Sequence, residues 1–123
     1  MLNQSAVVAF VATKNPDKAR SFYETTLELK LVSDDPYALV FDAHGTMLRV
    51  QKVQDLTPTG YTALGWNVKD IAATATWLAD KGILLERYAF LEHDPQGIWS
   101  SPSGAKVAWF KDPDGNTLSL TQH

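Results

Sequence analysis

The chain has 123 residues, 45% of them hydrophobic and 20% charged, with a formal net charge of −3 and no cysteine. That is the balance of one ordinary globular domain with a real core, and it excludes disordered and membrane classes. Disulfides, thiolate metal sites and cysteine nucleophiles are excluded together, and the acidic balance without a Lys/Arg run speaks against nucleic acid or anionic lipid as partner. The N-terminus MLNQSAVVAF lacks a signal-peptide pattern and no apolar run approaches eighteen residues, so the expectation is a cytoplasmic protein with no membrane partner.

In chain order, the first apolar strand is expected over 6–12, with both faces apolar. Asn15-Pro16-Asp17 then marks a helix start, with proline at the first helical position and Ala19, Phe22, Tyr23 and Leu27 as the apolar stripe. Strands follow over 29–33, 37–41 and 46–53, the last two joined by a turn at Asp42 to Gly45. The second half begins with a strand over 61–68. A helix follows, capped by Asp70, striped by Ile71, Thr74, Trp77 and Leu78, and closed by Lys81-Gly82. Strands over 83–88, 105–110 and 116–121 complete the pattern, with a type I turn at Asp112-Pro113-Asp114-Gly115 that the Asp42 turn is expected to copy.

The order is βαβββ twice. Val8 to Leu27 aligns with Ala63 to Gly82 at an offset of 55, and Phe41 to Gly45 aligns with Lys111 to Gly115 at an offset of 70, so the second half carries extra residues in its middle, roughly Ala89 to Ser103. The expected organisation is a single domain, 1–123, built of modules 5–55 and 60–122. Strand alternation sorts Leu48 and Val50 from Met47, Arg49 and Gln51. It likewise sorts Leu64, Trp66 and Val68 from Ala63, Gly65 and Asn67, and Leu118 and Leu120 from Thr117, Ser119 and Thr121. The apolar sets pack helices. The small or polar sets, with a first strand apolar on both faces, point to an interior cleft.

With βαβββ twice, the helix entry from Asn15 to Phe22-Tyr23 and the closing Trp109-Phe110-Lys111-Asp112-Pro113-Asp114-Gly115-Asn116, the chain resembles the vicinal oxygen chelate superfamily. That group includes glyoxalase I, extradiol dioxygenases, fosfomycin-resistance enzymes and bleomycin-resistance proteins. The resemblance implies an α+β fold in which paired βαβββ modules form a curved mixed sheet around a cleft, where enzymes of the group bind a divalent metal. The family's metal-ligand positions fall on Val8, Arg49, Ala63 and Ser119, with Gln51 an alternative to Arg49 on the same face. Only Gln51 is a normal ligand for a divalent ion, so no metal and no other cofactor is expected.

The ligand-binding residues expected are Phe10, Arg49, Gln51, Asn67, Trp99, Trp109, Ser119 and Thr121. Arg49 offers a planar fork to an anion, the tryptophans and Phe10 offer stacking surface, and the rest offer neutral hydrogen bonds. Arg49 is expected to be the only full charge on the inward faces, and alternation leaves the direction of Trp109 open. Trp66 and Trp77 are assigned to the core. His44, His93 and His123 are expected in no common cluster, although His93 between Glu92 and Asp94 has the makings of an acid–base group. No catalytic residue is identified. The expected task is metal-independent binding or sequestration of a planar, partly anionic small molecule by a homodimer. A lyase, isomerase or dioxygenase with a diverged site is the alternative, and a partner-binding module with a vestigial cleft a third.

Overall fold

The computed structural model describes residues 1–123. It divides into two compact units, one of Met1–Pro58 with Asp112–Asn116 and one of Thr59–Lys111 with Thr117–His123. No helix is long and apolar enough to cross a membrane.

The first unit holds β1 (Val8–Thr13), helix α1 (Pro16–Arg20), β2 (Lys30–Asp34), β3 (Ala38–Ala43) and β4 (Thr46–Lys52). The sheet order is β1-β4-β3-β2, with β1 parallel to β4 and the other pairs antiparallel. Pro16 opens α1 as expected, but the Asn15 side chain makes no cap. The helix continues as a π-helical segment, Ser21–Thr26, closed by Leu27 N donating to Phe22 O at 2.8 Å. Consecutive residues Phe22 and Tyr23 both turn inward, their rings edge to face at 5.1 Å. They cover the sheet face of Val11, Leu39, Phe41, Leu48 and Val50, all buried.

The loop Asp112–Asn116 packs within this unit. Asp112 is 5% exposed, and its carboxylate accepts from Tyr23 Oη at 2.7 Å, Asn116 N and Nδ2 at 2.9 Å each and Asp114 N at 3.0 Å. Asp114 accepts from Thr13 Oγ1 and Lys14 N, and Asn116 Nδ2 also donates to Ala12 O at 2.8 Å. Burial and the adjacent Asp112 charge push the Tyr23 phenol well above the usual tyrosine range.

The turn at Asp42 does not copy this loop. Ala43 pairs with Thr46 across a two-residue connection in which His44 and Gly45 both have positive φ, 51° and 90°, the signature of a type I′ hairpin. Lys111 instead pairs with Thr117 across five residues, and Gly115 N donates to Asp112 O, as in a type I turn.

The second unit holds β5 (Leu64–Asn67), α2 (Ile71–Asp80), β6 (Trp99–Ser100), β7 (Lys106–Lys111) and β8 (Thr117–Gln122), in the order β5-β8-β7-β6. This is the arrangement of the first sheet again, with β5 parallel to β8. Asp70 caps α2 through Ala73 N, and Gln122 Oε1 accepts from Ile71 N. The buried helix face is Ile71, Ala75 and Leu78, set against Ala108, Phe110, Leu118 and Leu120. Trp66 stacks on Phe110 at 6.2 Å, whereas Trp77 is half-buried beneath the Lys81 ammonium, 4.7 Å away, rather than in the core.

Residues 83–88 are not a strand. Glu86 N donates to Trp109 O, but the next candidate amide, Tyr88 N, is taken by His93 Nε2. The place beside β7 goes to Trp99–Ser100, and the middle segment thus supplies the sheet's edge.

Candidate functional site

Register decides which side chains share a face, because residues paired across a ladder point the same way. In the first sheet Arg49 pairs with Phe10 on one side and Val40 on the other, and Gln51 lies level with Ala12 and Ala38. Phe10 is 55% exposed, and Val8 and Met47 beside it are also exposed, so this face is open rather than packed. Arg49 is half-buried and forms no ion pair; the salt bridges of this unit join Arg20, Glu24, Asp34 and Lys52 instead. The backbone amides of Tyr37 and Ala38 hold the Asp35 carboxyl below the usual range, and the Arg49 charge acts in the same direction. Asp42, level with Met47, shares the open face.

In the second sheet Ser119 pairs with Gly65 and with Trp109, and Thr121 pairs with Asn67 and with Val107. Trp109 therefore faces away from α2, on the side of Ser119, Thr121 and Asn67, which settles the direction that alternation left open. Trp99, level with Val107, brings its ring to 6.0 Å from that of Trp109. Tyr88 meets Trp109 edge-on at 5.4 Å, and His93 lies 6.3 Å from it. A shallow pocket of about 520 Å³ opens beside this cluster, lined in part by Phe90, His93, Ile98 and Trp99.

The structure thus gathers Phe10, Arg49 and Gln51 on one face, and Asn67, Trp99, Trp109, Ser119 and Thr121 on another. The reading of Arg49 as the sole charge on such faces is corrected: Lys111, level with Thr117, lies on the face of Trp109 and Ser119, and Asp42 on that of Arg49. Both charges sit at strand ends beside turns, where alternation alone reads them as turn residues. His93 is no free acid–base group, since Nε2 accepts from Tyr88 N at 3.0 Å and Nδ1 donates to Gly97 O at 2.7 Å. His44 sits in the hairpin turn, and His123 Nδ1 meets Asn67 Oδ1 at 3.3 Å.

Residues 5–120 match the family model described as Glyoxalase/Bleomycin resistance protein/Dioxygenase superfamily. The chain belongs to this superfamily. Solved structures agree on its fold. A glyoxalase family protein from Enterococcus faecalis superposes with a TM-score of 0.76 at 19% identity, over 98% of this chain and 99% of that one. A lactoylglutathione lyase from Agrobacterium tumefaciens gives 0.72 at 18% identity, over 96% and 93%. A fosfomycin resistance protein from Listeria monocytogenes gives 0.74 at 11%, over 98% and 93%. At these identities the likeness concerns the fold alone. No similar sequence is found among functionally curated proteins.

Enzymes of the superfamily use a divalent metal, and the side chains at the corresponding positions do not fit one. Val8 and Ala63 have no donor atom, Arg49 brings a permanent positive charge, and Ser119 is a neutral hydroxyl whose face also carries the Lys111 ammonium. Gln51 is the one conventional donor, two residues from Arg49 on the same face. No group of three or more His, Asp or Glu side chains is gathered elsewhere.

Proposed function

We propose that this member of the superfamily binds or sequesters a planar, partly anionic small molecule without a metal, acting as a homodimer. The observation that supports this most is the second sheet's face: Trp109 in register with Ser119 and Gly65, and flanked by Trp99, Thr121 and Asn67. Aromatic walls with a few neutral hydrogen-bonding groups are the usual lining for an organic ligand. Phe10, Arg49 and Gln51 are proposed as further ligand contacts, with the unpaired Arg49 guanidinium free for a carboxylate or enolate oxygen.

The test is tryptophan-fluorescence titration with a panel of planar aromatic acids and glycopeptide drugs, on wild type, Arg49→Met and Trp109→Leu. Saturable quenching that Trp109→Leu abolishes supports the reading, and a panel without any saturable response refutes it. Added Zn²⁺, Ni²⁺ or Mn²⁺ is expected to leave both affinity and melting temperature unchanged. The dimer is supported by exposed apolar side chains, Phe10 and Met47 among them, and by Val32, 60% exposed on the edge strand β2. Sedimentation at micromolar concentration is expected to give twice the chain mass of 13.6 kDa.

A further inference from the structure

The second sheet's face that holds Trp109 and Ser119 also carries a charge that the proposed function has not used. Lys111 lies in register with Thr117, and its Nζ donates to Thr117 Oγ1 at 2.8 Å. Thr117 is buried and donates in turn to Thr59 O, so the ammonium is held by a fixed hydroxyl. Lys111 belongs to no salt bridge. An ammonium has three donors, and two remain for a ligand.

Ser119 stands next to Thr117 on the same face of β8, two residues or roughly 7 Å along the strand. It is 7% exposed, yet its hydroxyl makes no hydrogen bond and is not sealed from the surface. A hydroxyl that reaches the surface without a protein partner is free to donate to a ligand oxygen. Gly65, with Thr62 Cγ2 3.7 Å from where its Cβ would stand, leaves room beside Ser119 that a side chain would take. A Cβ at that position would lie 2.8 Å from Ser119 Oγ, so any larger residue would fill the space above the hydroxyl. On the other side of Ser119 stands the Trp109 indole. The strand residues sharing this face are Gly65, Asn67, Trp99, Val107, Trp109, Lys111, Thr117, Ser119 and Thr121, and none is acidic.

We infer that this face alone is a seat for an aromatic carboxylate, with one carboxylate oxygen on Lys111 Nζ, the other on Ser119 Oγ, and the ring against Trp109. A single charge-assisted anchor beside a flat apolar wall selects a planar acid over its neutral analogue. The inference rests on the proposed reading of a planar, partly anionic ligand, and moves the anionic anchor from Arg49 to Lys111.

The experiment is a ¹H–¹⁵N NMR titration of the full chain with 2-naphthoate, and in parallel with the neutral 2-naphthalenemethanol. Wild type, Lys111→Met, Gly65→Ala and Arg49→Met are compared, with thermal melts to verify folding. Saturable shifts are expected at the Trp109 indole N–H and at the Ser119 and Gly65 amides. Lys111→Met is expected to weaken naphthoate about tenfold or more, as for one hydrogen bond to a charged group, and the alcohol less than about twofold. Gly65→Ala is expected to weaken both compounds by blocking Ser119. Wild-type naphthoate affinity in Lys111→Met overturns the inference. So does loss on Arg49→Met alone, which leaves the broader function standing with its anchor in the first unit. Failure of 2-naphthoate to shift wild type at millimolar concentration also overturns the seat, while the function is decided separately by the panel titration.

Discussion

Replacing Tyr23 by Phe removes one oxygen from a site with no access to water. Tyr23 is fully buried, and its hydroxyl donates to Asp112 at 2.7 Å. Hydrogen bonds to charged groups contribute about 1.5–3 kcal/mol, and the three donors left on Asp112 place the loss near the lower end of that range. With an unfolding entropy of about 2.1 cal/mol/K per residue, the melting temperature should drop roughly 6–8 °C. The same contact sets an alkaline limit. Burial, then the Asp112 charge, raise the folded-state pKa of Tyr23, whereas an unfolded tyrosine titrates near about 10. The folded chain therefore keeps a proton that the unfolded chain releases. Stability that is fully present below about pH 10 is lost as pH climbs toward the folded-state value, at about 1.4 kcal/mol per pH unit for one proton. Urea unfolding at several pH values from 8 to 11 should show this slope in wild type and one proton less of it in Tyr23→Phe. Some slope persists in the variant, because burial and Glu86 also raise the Tyr88 phenol. A melting temperature equal to wild type, or an unchanged alkaline slope, would refute the account of the buried Tyr23–Asp112 contact.

His44→Asn should stabilise the chain by about 0.5 kcal/mol in chemical denaturation, since Asn-Gly is the preferred pair for a type I′ hairpin and His44 already adopts positive φ there. His93→Ala should change the tryptophan emission spectrum and speed amide exchange at Tyr88, because the ring accepts that amide and lies 6.3 Å from Trp109. Arg49→Met should leave the melting temperature within about 1 °C of wild type by calorimetry, as a partly exposed side chain without an ion pair has little stability to lose.

The doubled βαβββ order was legible because both helices have punctuated starts, Asn15-Pro16 and Asp70, and because Leu48/Val50 and Leu118/Leu120 alternate cleanly against polar neighbours. The direction of Trp109 was not, since its strand is apolar on both faces, with Val107 and Trp109 on one and Ala108 and Phe110 on the other. Only the pairing with Ser119 decides it. The stretch 83–88 carries Ile83, Leu84 and Leu85 and reads as a strand, but a backbone amide captured by a histidine five residues later leaves no local pattern. The two turns look alike in composition and differ in φ, which composition does not encode. Lys111 is hidden for a related reason: a lysine before Asp-Pro-Asp-Gly looks like turn solubility, and only the register with Thr117 makes it part of the face.

The loop Asp112–Asn116 belongs by its contacts to the unit formed by the chain's first 58 residues, although it is synthesised within the second half. A nascent or truncated chain ending at Pro58 would hold a buried tyrosine hydroxyl without an acceptor and would leave Thr13 Oγ1 and Lys14 N without Asp114. The first repeat on its own is accordingly expected to be less stable than within the whole chain. Splitting the gene at the inter-repeat boundary should yield two fragments that are more stable when expressed together than apart.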